Sequence, residues 1–96
     1  MATRTERINA GIALLDEKRG LQWVCDLDLT ILNLVRGRRC VLGQLYGLYP
    51  TGCSALGLVE SESAHGFFAA GSERWSTLTK AWVKKLTALR TERACP

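Results

Sequence analysis

Residues 39–58 read RCVLGQLYGLYPTGCSALGL, and this stretch decides what kind of fold the chain can have. Wound at about 100° per residue, it puts Leu42, Leu45, Tyr46, Tyr49, Cys53 and Leu56 on one face, the spacing of a core-facing helical stripe. The opposite face carries Cys40, Gly43, Gln44, Gly47, Thr51 and Ser54, all small or polar. A glycine inside a helix costs about 1 kcal/mol relative to alanine. Two readings offset that cost: Gly43 and Gly47 seat a tight internal helix crossing, or they leave a shallow groove for a partner. Pro50 has no amide to donate to the carbonyl of Tyr46, which predicts a kink or a break. Pro50 then opens a second short helix, and Gly57 closes it in a left-handed cap.

Outward from this stretch, residues 3–19 form a first helix, capped by Thr3 or Thr5, with Ile8, Ile12 and Leu15 as its stripe and Gly20 as its stop. Between residues 23 and 31 the period changes. Trp23, Cys25, Leu27, Leu29 and Ile31 alternate with Val24, Asp26, Asp28 and Thr30, which predicts a half-buried extended segment. Such a strand needs a partner, from residues 32–35 or 66–70. Residues 60–66 read as a short helical turn ending at Gly66, with His65 favourably placed as a cation at its C-terminus. Phe67 and Phe68 plug the core from a loop. Ser72 opens the last helix, whose stripe is Trp75, Leu78, Trp82, Leu86 and Leu89, expected to pack on Leu42, Leu45, Tyr46 and Tyr49. The expected fold class is mainly α: a compact helical domain of three to four helices with a short extended or β element at about residues 23–31. Ninety-six residues suit one domain with a single modest core, fraying over residues 1–5 and 91–96.

The run Cys40-Val41-Leu42-Gly43-Gln44-Leu45-Tyr46-Gly47, followed by Gly52, Leu56-Gly57-Leu58, Gly66-Phe67 and Leu78-Thr79-x-Ala81-Trp82, resembles small proteins encoded by phages and prophages of actinobacteria. The resemblance covers the chain from about Asp26 to Trp82. It implies a phage accessory protein in the host cytoplasm and attaches no chemistry to it. Pro50 departs from the pattern and counts against an unbroken central helix.

A composition of 47% hydrophobic and 23% charged residues is that of an ordinary globular domain. No apolar run approaches the about 20 residues that span a bilayer, so a soluble protein without a membrane role is expected. The apolar stretch of residues 8–15 is short and contains Asn9, unlike a secretory signal. The cysteines, at positions 25, 40, 53 and 95, are widely and irregularly spaced, which reads as free thiols in a reducing compartment. A zinc site wants paired ligands, and the set Cys25, Cys40, Cys53 and His65 lacks that spacing. No metal or cofactor is therefore expected. Asp26 and Asp28 share one side of the expected strand, a wet edge or turn cap before it is a metal or acid–base pair, since no third ligand or matched base is visible. Cys53 as a nucleophile activated by His65 conflicts with its place on the core face. No catalytic set emerges, and a non-enzyme is expected.

The formal charge is +4, and Arg36, Arg38 and Arg39 are clustered. Cations at a helix N-terminus are unfavourable by about 0.3–1 kcal/mol, a misfit that hints at an acidic or phosphate partner. The first functional reading is a phage accessory protein that binds a host or phage protein. Its candidate surface is Gly43, Gln44, Gly47 and Thr51, with Arg36, Arg38 and Arg39 at one end. The alternative is a small basic nucleic-acid binder using Arg36, Arg38, Arg39, Lys80 and Lys84. A third, a small-ligand sequestering protein, needs a pocket beside Asp26, Asp28 or His65. Homo-oligomerisation is compatible with all three, given the apolar surface of so short a chain.

Overall fold

In the computed structural model, which describes residues 2–58 and 61–95, the first helix, α1 (Arg4–Arg19), starts at a reciprocal cap. The Thr3 hydroxyl accepts from the Glu6 amide at 3.1 Å, and the Glu6 carboxylate accepts from the Thr3 amide at 3.3 Å. Its stripe Ile8, Ile12 and Leu15 is buried, as the periodicity predicts. The quoted stretch supplies α2 (Val41–Tyr46) and α3 (Tyr49–Leu56), and α4 (Trp75–Glu92) completes the helices. Two 3-10 turns, Leu21–Asp26 and Ser63–His65, lie between them, and no strand occurs among the described residues. The chain is mainly α.

The central stretch does break. Gly47 takes φ +92°, a region closed to most side chains, and its amide donates to the Gly43 carbonyl at 2.8 Å to end α2. Leu48 is extended and Pro50 stands in the first turn of α3, where its missing amide costs nothing. Gly57, at φ +68°, closes α3 in the expected left-handed cap. The separation of faces that an unbroken helix would give is lost. Leu42 and Leu56 are buried, whereas Leu45, Tyr46, Tyr49 and Cys53 are only half-buried.

The buried stripe of α4 is Leu78, Trp82, Leu86 and Leu89, with Trp75 half-buried. Its aromatic partner is Phe67 rather than the tyrosines. The Trp82 and Phe67 rings stack with centroids 5.5 Å apart, and the Trp82 indole N–H donates to the Gly66 carbonyl at 2.6 Å. The Ser63–His65 turn is pressed onto α1, where a β-carbon at Gly11 would collide with the His65 carbonyl oxygen. Tyr46 instead lies under the Arg19 guanidinium, 4.8 Å from its ring centroid.

Four further expectations are corrected. The extended element at residues 23–31 is absent: Leu21–Asp26 is a 3-10 turn in which the neighbours Trp23 and Val24 are both buried, which a strand of period two cannot do toward one core. Polar contacts replace a ladder there. The Trp23 indole donates to Asp16 at 2.7 Å, and Arg90 donates to the Val24 carbonyl at 3.1 Å. Helix α4 starts at Trp75 rather than Ser72, with Arg74 at the N-cap, because Glu73 turns to α1. Cys25 and Cys95 form a disulfide, leaving Cys40 and Cys53 as free thiols. The flanking segments are tied in rather than frayed, through the Thr3 cap, an Arg4–Glu73 ion pair at 2.8 Å, an Arg93–Asp16 pair at 2.7 Å and that disulfide. Met1 and Pro96 lie outside the described residues, as do residues 59–60 at the start of the expected 60–66 turn.

Candidate interaction surface

The loop over residues 36–39 is held by its backbone, which leaves its side chains free. The Asn33 amide donates to the Arg39 carbonyl at 3.2 Å, and the Cys40 amide to the Arg36 carbonyl at 3.0 Å. The Gly37 carbonyl accepts from the Tyr49 amide at 2.9 Å. Buried Leu32 and Leu34 anchor the approach, and the Leu34 amide donates to the Thr79 hydroxyl at 3.2 Å. Gly43 finishes the seat, since a β-carbon there would collide with the Gly37 carbonyl oxygen. Arg36, Arg38 and Arg39 all project from this frame into solvent around a shallow concavity, and none makes an ion pair or side-chain hydrogen bond among the described residues.

The small-residue flank named with these arginines is exposed only in part. Gly43 is buried under the loop. Gln44 is a staple: its amide N–H groups donate to the carbonyls of Asp28 at 3.1 Å and Arg39 at 2.9 Å, and its oxygen accepts from the Asp28 amide at 2.7 Å. Gly47 and Thr51 are exposed. Of the two readings of the glycines, the internal approach holds at Gly43, while Gly47 serves the turn.

What adjoins the arginine loop is apolar. A groove of about 370 Å³ is lined by Leu34, Val35, Gly37, Tyr49, Pro50, Phe68 and Trp75. Val35 is 60% exposed and Phe68 48%, and Phe68 meets Trp75 edge-on with centroids 4.8 Å apart. Phe67 therefore fills the core as expected and Phe68 does not. Gly37 belongs to both the groove and the arginine-lined concavity. Val35 also lines a concavity with Leu32, Thr79 and Lys80. Lys84 sits apart from these, in a cleft between α1 and α4 with Ile8 and Ala88.

The groups weighed for chemistry are engaged otherwise. Asp28 caps its own turn, accepting from the Thr30 amide at 2.9 Å and from the Thr30 hydroxyl, and these bonds hold its carboxyl below the usual range. Asp26 lies at the end of the 3-10 turn, exposed, and not on a shared strand face. His65 Nδ1 donates to the Ser61 carbonyl at 2.9 Å, since a carbonyl can only accept. Burial pushes the Cys40 and Cys53 thiols up, the reverse of what activates a nucleophile. The Cys40 thiol instead caps α2, its sulfur accepting from the Gly43 amide at 3.2 Å. The set Cys25, Cys40, Cys53 and His65 loses Cys25 to the disulfide, and no group of three or more metal-ligating side chains gathers among the described residues. The Tyr49 hydroxyl is buried with no hydrogen-bond partner of good geometry among the described residues, and burial, with the Cys53 thiol beside it, pushes its pKa far up.

A concavity of about 500 Å³ surrounds a different cluster, that of Arg4, Arg7 and Glu73. Glu73 accepts from Arg4 at 2.8 Å, from Arg7 through both terminal nitrogens, and from the Ala70 amide at 3.1 Å. This joins α1 to the segment before α4. The sequence signal for the groove was slight: two adjacent phenylalanines after Gly66, of which Phe67 enters the core and Phe68 does not. No protein-family model, curated protein or solved structure matches the chain. No helix among the described residues is long and apolar enough to cross a membrane.

Proposed function

We propose that this chain is a non-enzymatic phage accessory protein that acts by binding another protein, of host or phage, through the loop of residues 36–39. One observation carries the reading: three exposed arginines, with no ion pair or side-chain hydrogen bond among the described residues, stand on a loop whose backbone is bonded to Asn33, Cys40, Gln44 and Tyr49. A fixed loop loses little conformational freedom on binding, so its charges serve recognition at low entropic cost. The test is affinity purification from an actinobacterial host of a tagged wild-type chain beside Arg36→Glu/Arg38→Glu/Arg39→Glu. A stoichiometric protein lost with the triple variant, and rebinding when both are purified, supports the reading. Recovery of nothing stoichiometric, or equal recovery by both chains, overturns it.

A nucleic-acid partner is the second reading, favoured by the approach of Phe68 and Trp75 to the arginine loop. It requires retention of DNA or RNA at about 50 mM salt that falls steeply as salt rises. The host cytoplasm, implied by the phage resemblance, is at odds with a standing Cys25–Cys95 disulfide, because a reducing pool keeps thiols reduced. Thiol counting under denaturing conditions on material taken from the host decides it: two reactive cysteines for the oxidised chain, four for the reduced one.

A further inference from the structure

We propose that the apolar groove beside the 36–39 loop takes an acidic peptide segment carrying one large aliphatic or aromatic anchor. This rests on the protein-binding reading above and adds the partner's chemistry to it. The groove is lined by Val35, Tyr49, Pro50, Phe68 and Trp75, and its volume of about 370 Å³ has room for a large side chain or two. Val35 and Phe68 leave 60% and 48% of their surface in water, an arrangement that gains from an apolar cover. The walls are fixed, since Leu34 is buried and bonded to Thr79 and the Gly37 carbonyl to the Tyr49 amide, so an anchor meets a preformed seat.

Charge names the rest of the partner. The groove shares Gly37 with the concavity of Arg36, Arg38 and Arg39, and it shares Val35 with the concavity that includes Lys80. Cations therefore stand in two hollows that adjoin it along residues 35–37, and no carboxylate among the described residues lines any of the three. An extended acidic segment would lay carboxylates toward these cations while its anchor fills the groove. A second copy of this chain fits poorly, because it would bring the same arginines and a formal charge of +4 to the contact. Nucleic acid fits less well than peptide. Phe68 and Trp75 are packed edge-to-face on each other, and much of the remaining lining, Leu34, Val35 and Pro50, is aliphatic rather than a stacking platform.

The probe is a fluorescein-labelled Glu-rich peptide with one central Trp, titrated by anisotropy beside the same peptide with Ala at the centre and beside labelled oligo-dT. Binding of the Trp peptide about tenfold tighter than the Ala peptide is expected. Val35→Asp and Phe68→Ala should each erase that difference, as should Arg36→Glu/Arg38→Glu the binding itself. Both groove positions are exposed, and circular dichroism with a thermal melt confirms that each variant is folded. Equal affinity for the Trp and Ala peptides overturns the groove while leaving the arginine loop as a binding surface. So does oligo-dT displacing the Trp peptide, which points to nucleic acid. Absence of peptide binding also overturns it, and the affinity purification above then decides separately whether the protein-binding reading falls with it.

Discussion

Arg7 is the charged residue that the described core takes in, at 8% exposure, and Glu73 makes that tolerable. Burial opposes the charge on Glu73, but the Ala70 amide and the Arg4 and Arg7 guanidinium groups outweigh it and hold the carboxyl below its ordinary value of 4.5. A carboxylate with a depressed folded pKa stabilises fully above the unfolded value and loses that contribution as pH falls through the folded one. Thermal melts should therefore show the wild type losing stability below about pH 4.5, with the gap to Glu73→Gln closing as the pH drops. At neutral pH Glu73→Ala strands Arg7 as a buried charge, a loss of about 3 kcal/mol by urea denaturation. A gap that stays constant down to acid pH would deny the pair its role. Gly43 and Gly47 of the central stretch differ in a way that a helical wheel hides. Gly43→Ala forces its β-carbon into the Gly37 carbonyl oxygen, a backbone atom that cannot swing aside, and should cost about 1–3 kcal/mol. Gly47 has open space around it and is constrained only by its φ of +92°.

At the scale of elements, the aromatic contacts that bind α4 to the rest are carried by Phe67 and Phe68. Trp82→Ala should cost about 3–5 kcal/mol, as deleting a fully buried ring does. Trp82→Phe keeps a ring against Phe67 but leaves the Gly66 carbonyl without its donor, an added loss of about 1 kcal/mol, and the two variants should separate in urea midpoint. What the sequence made legible was local. The 3.6-residue periods of α1 and α4 name their buried stripes except at Trp75, which stays half-buried, and Pro50 with Gly57 sets the limits of α3. The alternation over residues 23–31 misled, because a 3-10 turn buries two neighbours at once, and the Trp23 indole finds its partner in Asp16 on α1 and the Val24 carbonyl in Arg90, 66 residues on. The candidate site divides the same way. Its arginines are adjacent in sequence and stood out, whereas its groove is assembled from residues 34, 35, 37, 49, 50, 68 and 75, a set that no local period links.

Across the whole molecule, the disulfide joins the Leu21–Asp26 turn to the segment after α4, with a sequence separation of 70. Closing a loop of that length removes enough freedom from the unfolded chain to stabilise the fold by about 4 kcal/mol in the chain-entropy account. The folded tail does not depend on it alone. Asp16 binds the Arg93 guanidinium through both oxygens, at 2.8 and 2.7 Å, and Arg90 holds the Val24 carbonyl at 3.1 Å. Reduction should therefore act chiefly on the denatured state: the helical circular dichroism at neutral pH stays as it was, while the urea midpoint falls. The dependence on urea should steepen as well, since an uncrosslinked chain exposes more surface when it unfolds. Cys25→Ser/Cys95→Ser should reproduce both changes and become indifferent to added reductant. If the wild type is itself indifferent to reductant, the cross-link contributes nothing in solution, and the tail is held by Asp16 and Arg93 with their neighbours. If instead reduction abolishes the helical signal, those polar contacts are too weak to hold the tail without it.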